Sequence, residues 1–165
     1  MMQVSIRKAI PNDATIISQI WEVICAERTY TAVNIPFSPE QEKQYISSLS
    51  NREAIFLAEK QDQIIGFQSL DLWAKYTDSF DHVGVLGTFI LPEWRQKGVG
   101  TQLALETFKF ARRNNYEKII IYIRASNAGA LTFYKNLGFL EKGILSRQVK
   151  LDDRYEDEIF LELFL

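Results

Sequence analysis

The stretch Leu91-Pro92-Glu93-Trp94-Arg95-Gln96-Lys97-Gly98-Val99-Gly100 lies between an apolar run and a strongly amphipathic segment. The run, Val83 to Leu91, reads as one strand, with Gly84 and Gly87 where a bulge or a close backbone approach fits, and Pro92 ends it. Downstream, Val99, Leu103, Ala104, Phe108, Phe110 and Ala111 share one helical arc, and Gln102, Lys109, Arg112 and Arg113 the opposite side. A helix therefore starts at or near Gly98. A glycine-bearing loop feeding a helix N-terminus offers unpaired N–H donors and the positive end of the helix dipole, which suits a phosphate or pyrophosphate. Arg95 and Lys97 add charge there. Simple turn chemistry is the other reading of a Gly-x-Gly at such a junction. No Gly-Lys-Ser/Thr closes the loop, and no third glycine completes a dinucleotide fingerprint, so a nucleotide P-loop and a nicotinamide or flavin site are both excluded.

Outward from this junction the elements alternate. Val4 to Lys8 is a short strand; Asn12 or Asp13 can cap a helix carrying Ile16, Ile17, Ile20, Trp21 and Ile24 inward. Ser38 caps a second helix opened by Pro39 and Glu40 and running to Leu49. Ala54 to Glu59 and Ile64 to Trp73 form a hairpin around the polar residues 60–63. Lys118 to Ile123 is a continuous apolar run, as expected of a strand buried on both faces. Asn127 to Leu137 is a short helix ended by Gly138, and Gly143 to Leu165 makes two strands about Asp152-Asp153-Arg154. The pattern predicts a single domain over residues 1–165, α/β (α+β) in class, with a mixed, mostly antiparallel sheet of six to seven strands flanked by about four helices.

At 165 residues the chain is long enough for one real core. A formal net charge of -2 argues against a general nucleic-acid binder. No apolar run approaches the ~18 to 20 residues of a membrane span, and no signal peptide precedes the first strand, so no membrane association and a cytoplasmic location are expected. Cys25 and His82 are each single, which leaves no disulfide framework and no cysteine-based metal site. Cys25 reads as an inert core residue on an apolar helix face.

Three segments together resemble the GNAT-type N-acetyltransferase superfamily, nearly over the whole length. Pro92-x-x-Arg95-x-x-Gly98-x-Gly100 is similar to its pyrophosphate loop. Asn127-Ala128-Gly129-Ala130-Leu131-Thr132-Phe133-Tyr134-Lys135-Asn136-Leu137-Gly138-Phe139 resembles its Asn-x-x-Ala-x-x-x-Tyr-x-x-x-Gly-Phe helix, and Arg147 to Glu158 its final hairpin. The resemblance implies acetyl-CoA as co-substrate, with no metal, lying where two central parallel strands splay. It implies backbone pairing to Thr88, Phe89 and Ile90, and pyrophosphate contacts from Arg95, Gln96, Lys97, Gly98, Val99, Gly100 and Thr101, with Asn127 and Tyr134 completing the site. Asn127 also reads as a helix N-cap.

The implied reaction is attack of a primary amine, from a small molecule of amino acid or polyamine type or a protein N-terminus, on the thioester in a ternary complex. Tyr134 is the candidate donor to the leaving sulfur; a plain core tyrosine is its other reading. Many similar proteins carry a glutamate on the strand before the loop, where this chain has Val85-Leu86-Gly87-Thr88. Candidates for the proton acceptor are His82, whose ordinary pKa is about 6.5, and Asp71, with Glu59 and Glu27 as rivals. The acceptor pocket implied by the fold draws on Glu27, Arg28, Tyr30 and Phe37 and on the hairpin near Arg147 and Tyr155. Arg28 could grip a carboxylate, whereas the acids of residues 152–158 could favour a polyamine or a basic N-terminus. A homodimer through the last strands is common in similar proteins. The rival class is a non-catalytic acyl-CoA-binding sensor module, which has no need of Tyr134.

Overall fold

The structure, a computed structural model, describes residues 4–165. Seven strands, β1 (Ser5–Lys8), β2 (Ala54–Lys60), β3 (Gln63–Leu72), β4 (Val83–Ile90), β5 (Lys118–Arg124), β6 (Leu140–Leu151) and β7 (Arg154–Phe164), form one sheet in the order β1-β2-β3-β4-β5-β7-β6. Four helices accompany it: α1 (Ala14–Ala26), α2 (Pro39–Ser48), α3 (Val99–Arg113) and α4 (Ala128–Asn136). This is the expected mixed, mostly antiparallel architecture. No helix among the described residues is long and apolar enough to cross a membrane.

The functional consequence of the topology lies between β4 and β5. They are the parallel pair, and their register runs only from Val83↔Lys118 to Val85↔Ile120. Beyond it, residues 86–90 and 121–124 diverge, so the sheet opens as a V. Strand alternation sorts side chains between its two faces. Leu70, Leu86, Ile119, Ile121 and Ile123 pack with Phe108, Tyr134 and Phe139 beneath α3 and α4. Phe67 and Phe89 pack with Ile17, Ile20, Trp21 and Ile24 beneath α1 and α2. Gln68 and Thr88 therefore share the α3/α4 face, and Ser69, Asp71, Val85 and Gly87 the α1/α2 face.

Local chemistry accounts for most element ends. Ser38 accepts from the Gln41 N–H at 3.3 Å while Gln41 Oε1 accepts from the Ser38 N–H at 2.8 Å, a reciprocal cap on α2. Gln61 and Asp62 join β2 to β3 with φ of 50° and 62°, and Asp152 and Asp153 join β6 to β7 with 49° and 60°. Left-handed pairs of this kind match the twist of the strands they connect.

Three expectations change. Asp13 does not cap α1 with its side chain; after the single helical turn Pro11–Asp13 it accepts from the Ile10 N–H at 2.8 Å and from both terminal nitrogens of Arg7 at 2.8 Å. A bidentate guanidinium outcompetes a lone N–H for a carboxylate. The last hairpin also starts earlier than Gly143: β6 begins at Leu140, because Gly138, at a φ of 97°, turns the chain straight from α4 into the sheet. Ile16, expected inward, is only partly buried.

Candidate active site

The loop before α3 is shaped by two left-handed residues. Gly98 has a φ of 82° and stands at the helix N-cap, a conformation that favours a residue without Cβ. Gln96 has a φ of 58°, which nothing in its side chain announces. The chain then enters α3 with the first-turn N–H groups of Val99, Gly100 and Thr101 lacking helical acceptors. A Cβ on Gly100 would stand 3.0 Å from the Phe133 ring and 3.3 Å from Ile90 Cδ1. Loop, β4 and α4 thus converge on a glycine, leaving a cradle of backbone donors at the positive end of a helix, which fits a diphosphate.

A cleft of about 510 Å³ runs from this cradle into the V. Thr88, Phe89 and Ile90 line it from β4, and Arg95, Gln96, Gly98, Gly100 and Thr101 from the loop and α3. Asn127 and Tyr134 line it from the other side, with Gly129, Ala130 and Phe133. Asn127 is the side-chain cap of α4, accepting from the Ala130 N–H at 3.0 Å, and its Nδ2 donates to the Tyr30 carbonyl at 3.2 Å. Lys97 and Val99 are not among the lining residues. The Lys97 ammonium lies over the Trp94 ring at 5.2 Å, and the Val99 side chain is buried against β2.

Arg95 lines the cleft but is not a free cation. Its Nε donates to the Ile90 carbonyl at 2.9 Å, and its terminal nitrogens hold Glu27 at 2.8 and 2.5 Å, with Tyr30 stacked at 4.6 Å. Glu27 is thereby withdrawn from both the acceptor pocket and the search for a base. Tyr30 lines the co-substrate cleft rather than the acceptor side.

Inside the V, three residues beyond the last β4–β5 pair, three side chains form a hydrogen-bonded chain. Gln68 Nε2 donates to Thr88 Oγ1 at 2.7 Å, and Thr88 Oγ1 lies 2.6 Å from the Tyr134 hydroxyl. With Gln68 supplying a donor, Thr88 can give its own proton to the Tyr134 oxygen, which leaves the phenolic proton free for the cleft. Tyr134 is 3% exposed, and burial raises its pKa well above the ordinary tyrosine value, so it stays protonated. Gln68 is fully buried, and its Oε1 has no partner among the described residues. Sequence reading missed Gln68; its only mark is a polar side chain on the face that Leu70 assigns to the core.

The model of the acetyltransferase (GNAT) family matches residues 18–139. The chain belongs to this GNAT acetyltransferase family. It is 25% identical over 105 residues to the uncharacterized N-acetyltransferase MJ1207 of Methanocaldococcus jannaschii, covering 63% of this chain and 46% of that protein. It is 25% identical over 142 residues to the N-alpha-acetyltransferase of Sulfurisphaera tokodaii, covering 78% and 79% of the two. In fold it superimposes on the GNAT phosphinothricin acetyltransferase of Sinorhizobium meliloti, solved in complex with AcCoA, with a TM-score of 0.91, 19% identity and coverage of 99% and 89%.

The remaining predicted site residues of this GNAT chain fall elsewhere. His82 is exposed just before β4; six residues of strand, roughly 20 Å, separate it from Thr88. Glu59 pairs with Arg7 at 3.1 Å near the far edge of the sheet. Arg28 reaches from the α1–α2 loop to Asp152 on the hairpin turn, through Nε at 3.1 Å and a second nitrogen, and also holds the Asn34 carbonyl at 3.2 Å. A carboxylate clamp from Arg28 would require breaking that pair. Phe37 packs edge-on against Trp21 at 5.4 Å. Arg28 does border a second cleft of about 730 Å³ with Arg124, Arg154, Tyr155 and Glu156. Arg147 stacks on Tyr155 at 4.1 Å.

Proposed function

We propose that the chain is an acetyl-CoA-dependent N-acetyltransferase acting directly on a primary amine, of a small molecule of amino acid or polyamine type or of a protein N-terminus. The observation that carries this reading is the Gln68–Thr88–Tyr134 chain inside the V, beside the same cleft as the cradle at Gly98 and Gly100. When bound, acetyl-CoA supplies an acetyl thioester. The first-turn N–H groups of α3 hold its diphosphate, the edge of β4 aligns its arm, and the Tyr134 hydroxyl protonates the sulfur as it leaves. A sensing module gains nothing from a tyrosine proton held in this way. Direct transfer is supported by Cys25, the chain's one cysteine: it is buried in the α1 core, and that burial raises its pKa, the reverse of an activated nucleophile.

The acceptor reaches the thioester from the α1/α2 face, through the second cleft between the α1–α2 loop and the hairpin. One relative is named an N-alpha-acetyltransferase and one structural neighbour a phosphinothricin acetyltransferase, so the test is a panel: phosphinothricin, free amino acids, spermidine, and peptides beginning with Ala or Ser. Release of CoA with at least one of them, and an acetylated amine by mass spectrometry, is expected. Acetyl-CoA binding without an acetylated product from any class would favour the sensor reading instead.

A further inference from the structure

Of the four candidate proton acceptors, Glu27 and Glu59 are ion-paired and His82 stands exposed ahead of β4, which leaves Asp71. Asp71 sits on β3 opposite Val85, and Val85 in turn pairs with Ile120, the last registered pair before β4 and β5 part. Asp71 therefore stands in the row that forms the apex, one row from Ser69 and Gly87. A diagonal neighbour of this kind is roughly 7–8 Å away from backbone to backbone, a gap that the aspartate side chain and one hydrogen-bonded water can cross together. The Tyr45 hydroxyl, on α2, donates to its carboxylate. No ion pair neutralises Asp71 among the described residues, because the neighbouring Lys75 is taken by Glu53 at 2.7 Å.

From this placement, and resting on the transferase reading above, we infer that Asp71, aimed by Tyr45, takes the ammonium proton of the acceptor through one water. The acceptor loses one proton to Asp71; its nitrogen then forms the N–C bond as the C–S bond breaks, and the sulfur leaves with the proton of Tyr134. The second nitrogen proton passes to water, from which Tyr134 is reprotonated, and Asp71 releases its own, so each turnover yields one net proton. Tyr45 acts as a positioning residue.

The surroundings suit an acid that must give its proton up near neutral pH. Burial pushes the Asp71 carboxyl above the usual aspartate range, opposed by the Tyr45 hydrogen bond, raised again by Glu53, and lowered by Lys75 and Ser69. Glu42 on α2 and Tyr116 before β5 face the same cluster. Because the deprotonated form is the working one, kcat/KM falls as pH drops through this raised value. The hydrogen bond from Tyr45 lowers it, so Tyr45→Phe moves that limb to higher pH.

Two measurements decide the matter. With the best acceptor of the panel, Asp71→Asn, which keeps the Tyr45 contact, should lower kcat about 10²–10³-fold and erase the acidic limb, with the Kd for acetyl-CoA unchanged within about twofold. Without any acceptor, the 13C carboxyl resonance of Asp71 should titrate above the ordinary aspartate pKa of about 3.9 and shift upward in Tyr45→Phe. An ordinary, Tyr45-independent titration overturns the inference, as does an Asp71→Asn enzyme with native kcat and pH profile; either leaves the transferase reading standing. Failure of the native chain to acetylate any acceptor strikes that reading, and this inference with it.

Discussion

Tyr134→Phe should lower kcat by about 10²–10³-fold, the usual worth of a positioned acid, while leaving acetyl-CoA affinity within about twofold. The ring is held by edge contacts to Phe133 at 4.8 Å and Phe139 at 5.3 Å, which phenylalanine keeps. Only the hydroxyl is lost, and with it the 2.6 Å contact to Thr88. The stability cost is that of one buried hydrogen bond, about 1 kcal/mol. Steady-state kcat beside calorimetric affinity separates the two effects. An unchanged kcat would mean that the sulfur leaves without help from Tyr134, and the network through Thr88 and Gln68 would then be only a buried polar contact.

Gly100→Val should weaken acetyl-CoA binding by at least 100-fold, about 2.7 kcal/mol. The added methyls have to displace the Phe133 ring, already 3.0 Å from the position a Cβ would take, and that ring lines the cleft. The helix itself tolerates the change, so far-UV circular dichroism should stay near native, with a stability loss of about 1–3 kcal/mol from overpacking. Gln96→Ala is the control. Gln96 lines the cleft, but the expected contact of this loop residue is through its backbone N–H, so removing its side chain should alter affinity by no more than about twofold. Equal losses for the two variants would show that side chains, not the backbone, hold the anion.

The residues that could be read from sequence are those whose local conformation and chemistry coincide. Gly98 ahead of an amphipathic helix and Gly100 in its first turn, Ser38 before Pro39, and Gly138 before the buried Phe139 each declare a turn, a cap or a stop through their own residue type. Pairings across long separations left no such mark. Arg28 meets Asp152 across 124 positions and Arg95 meets Glu27 across 68, so each charge looked available for a ligand when read alone. Gln96 is left-handed without being glycine or asparagine, and is set by the loop it joins. Gln68 gains its meaning only when the β3–β4 register places it beside Thr88. The apex of the V is likewise a property of where two strands stop pairing, and so Asp71 could be named among several acids but not distinguished from them.

The most direct measurement is calorimetric titration of the native chain with acetyl-CoA, paired with its thermal unfolding. The cradle and V predict saturable binding at one site per chain. At a hundredfold excess over Kd they predict stabilisation by about 2.7 kcal/mol, or an unfolding midpoint raised by roughly 5–10 °C, both lost in Gly100→Val. No heat and no shift at millimolar acetyl-CoA would contradict the account, leaving a GNAT fold whose cleft serves some other anion or none.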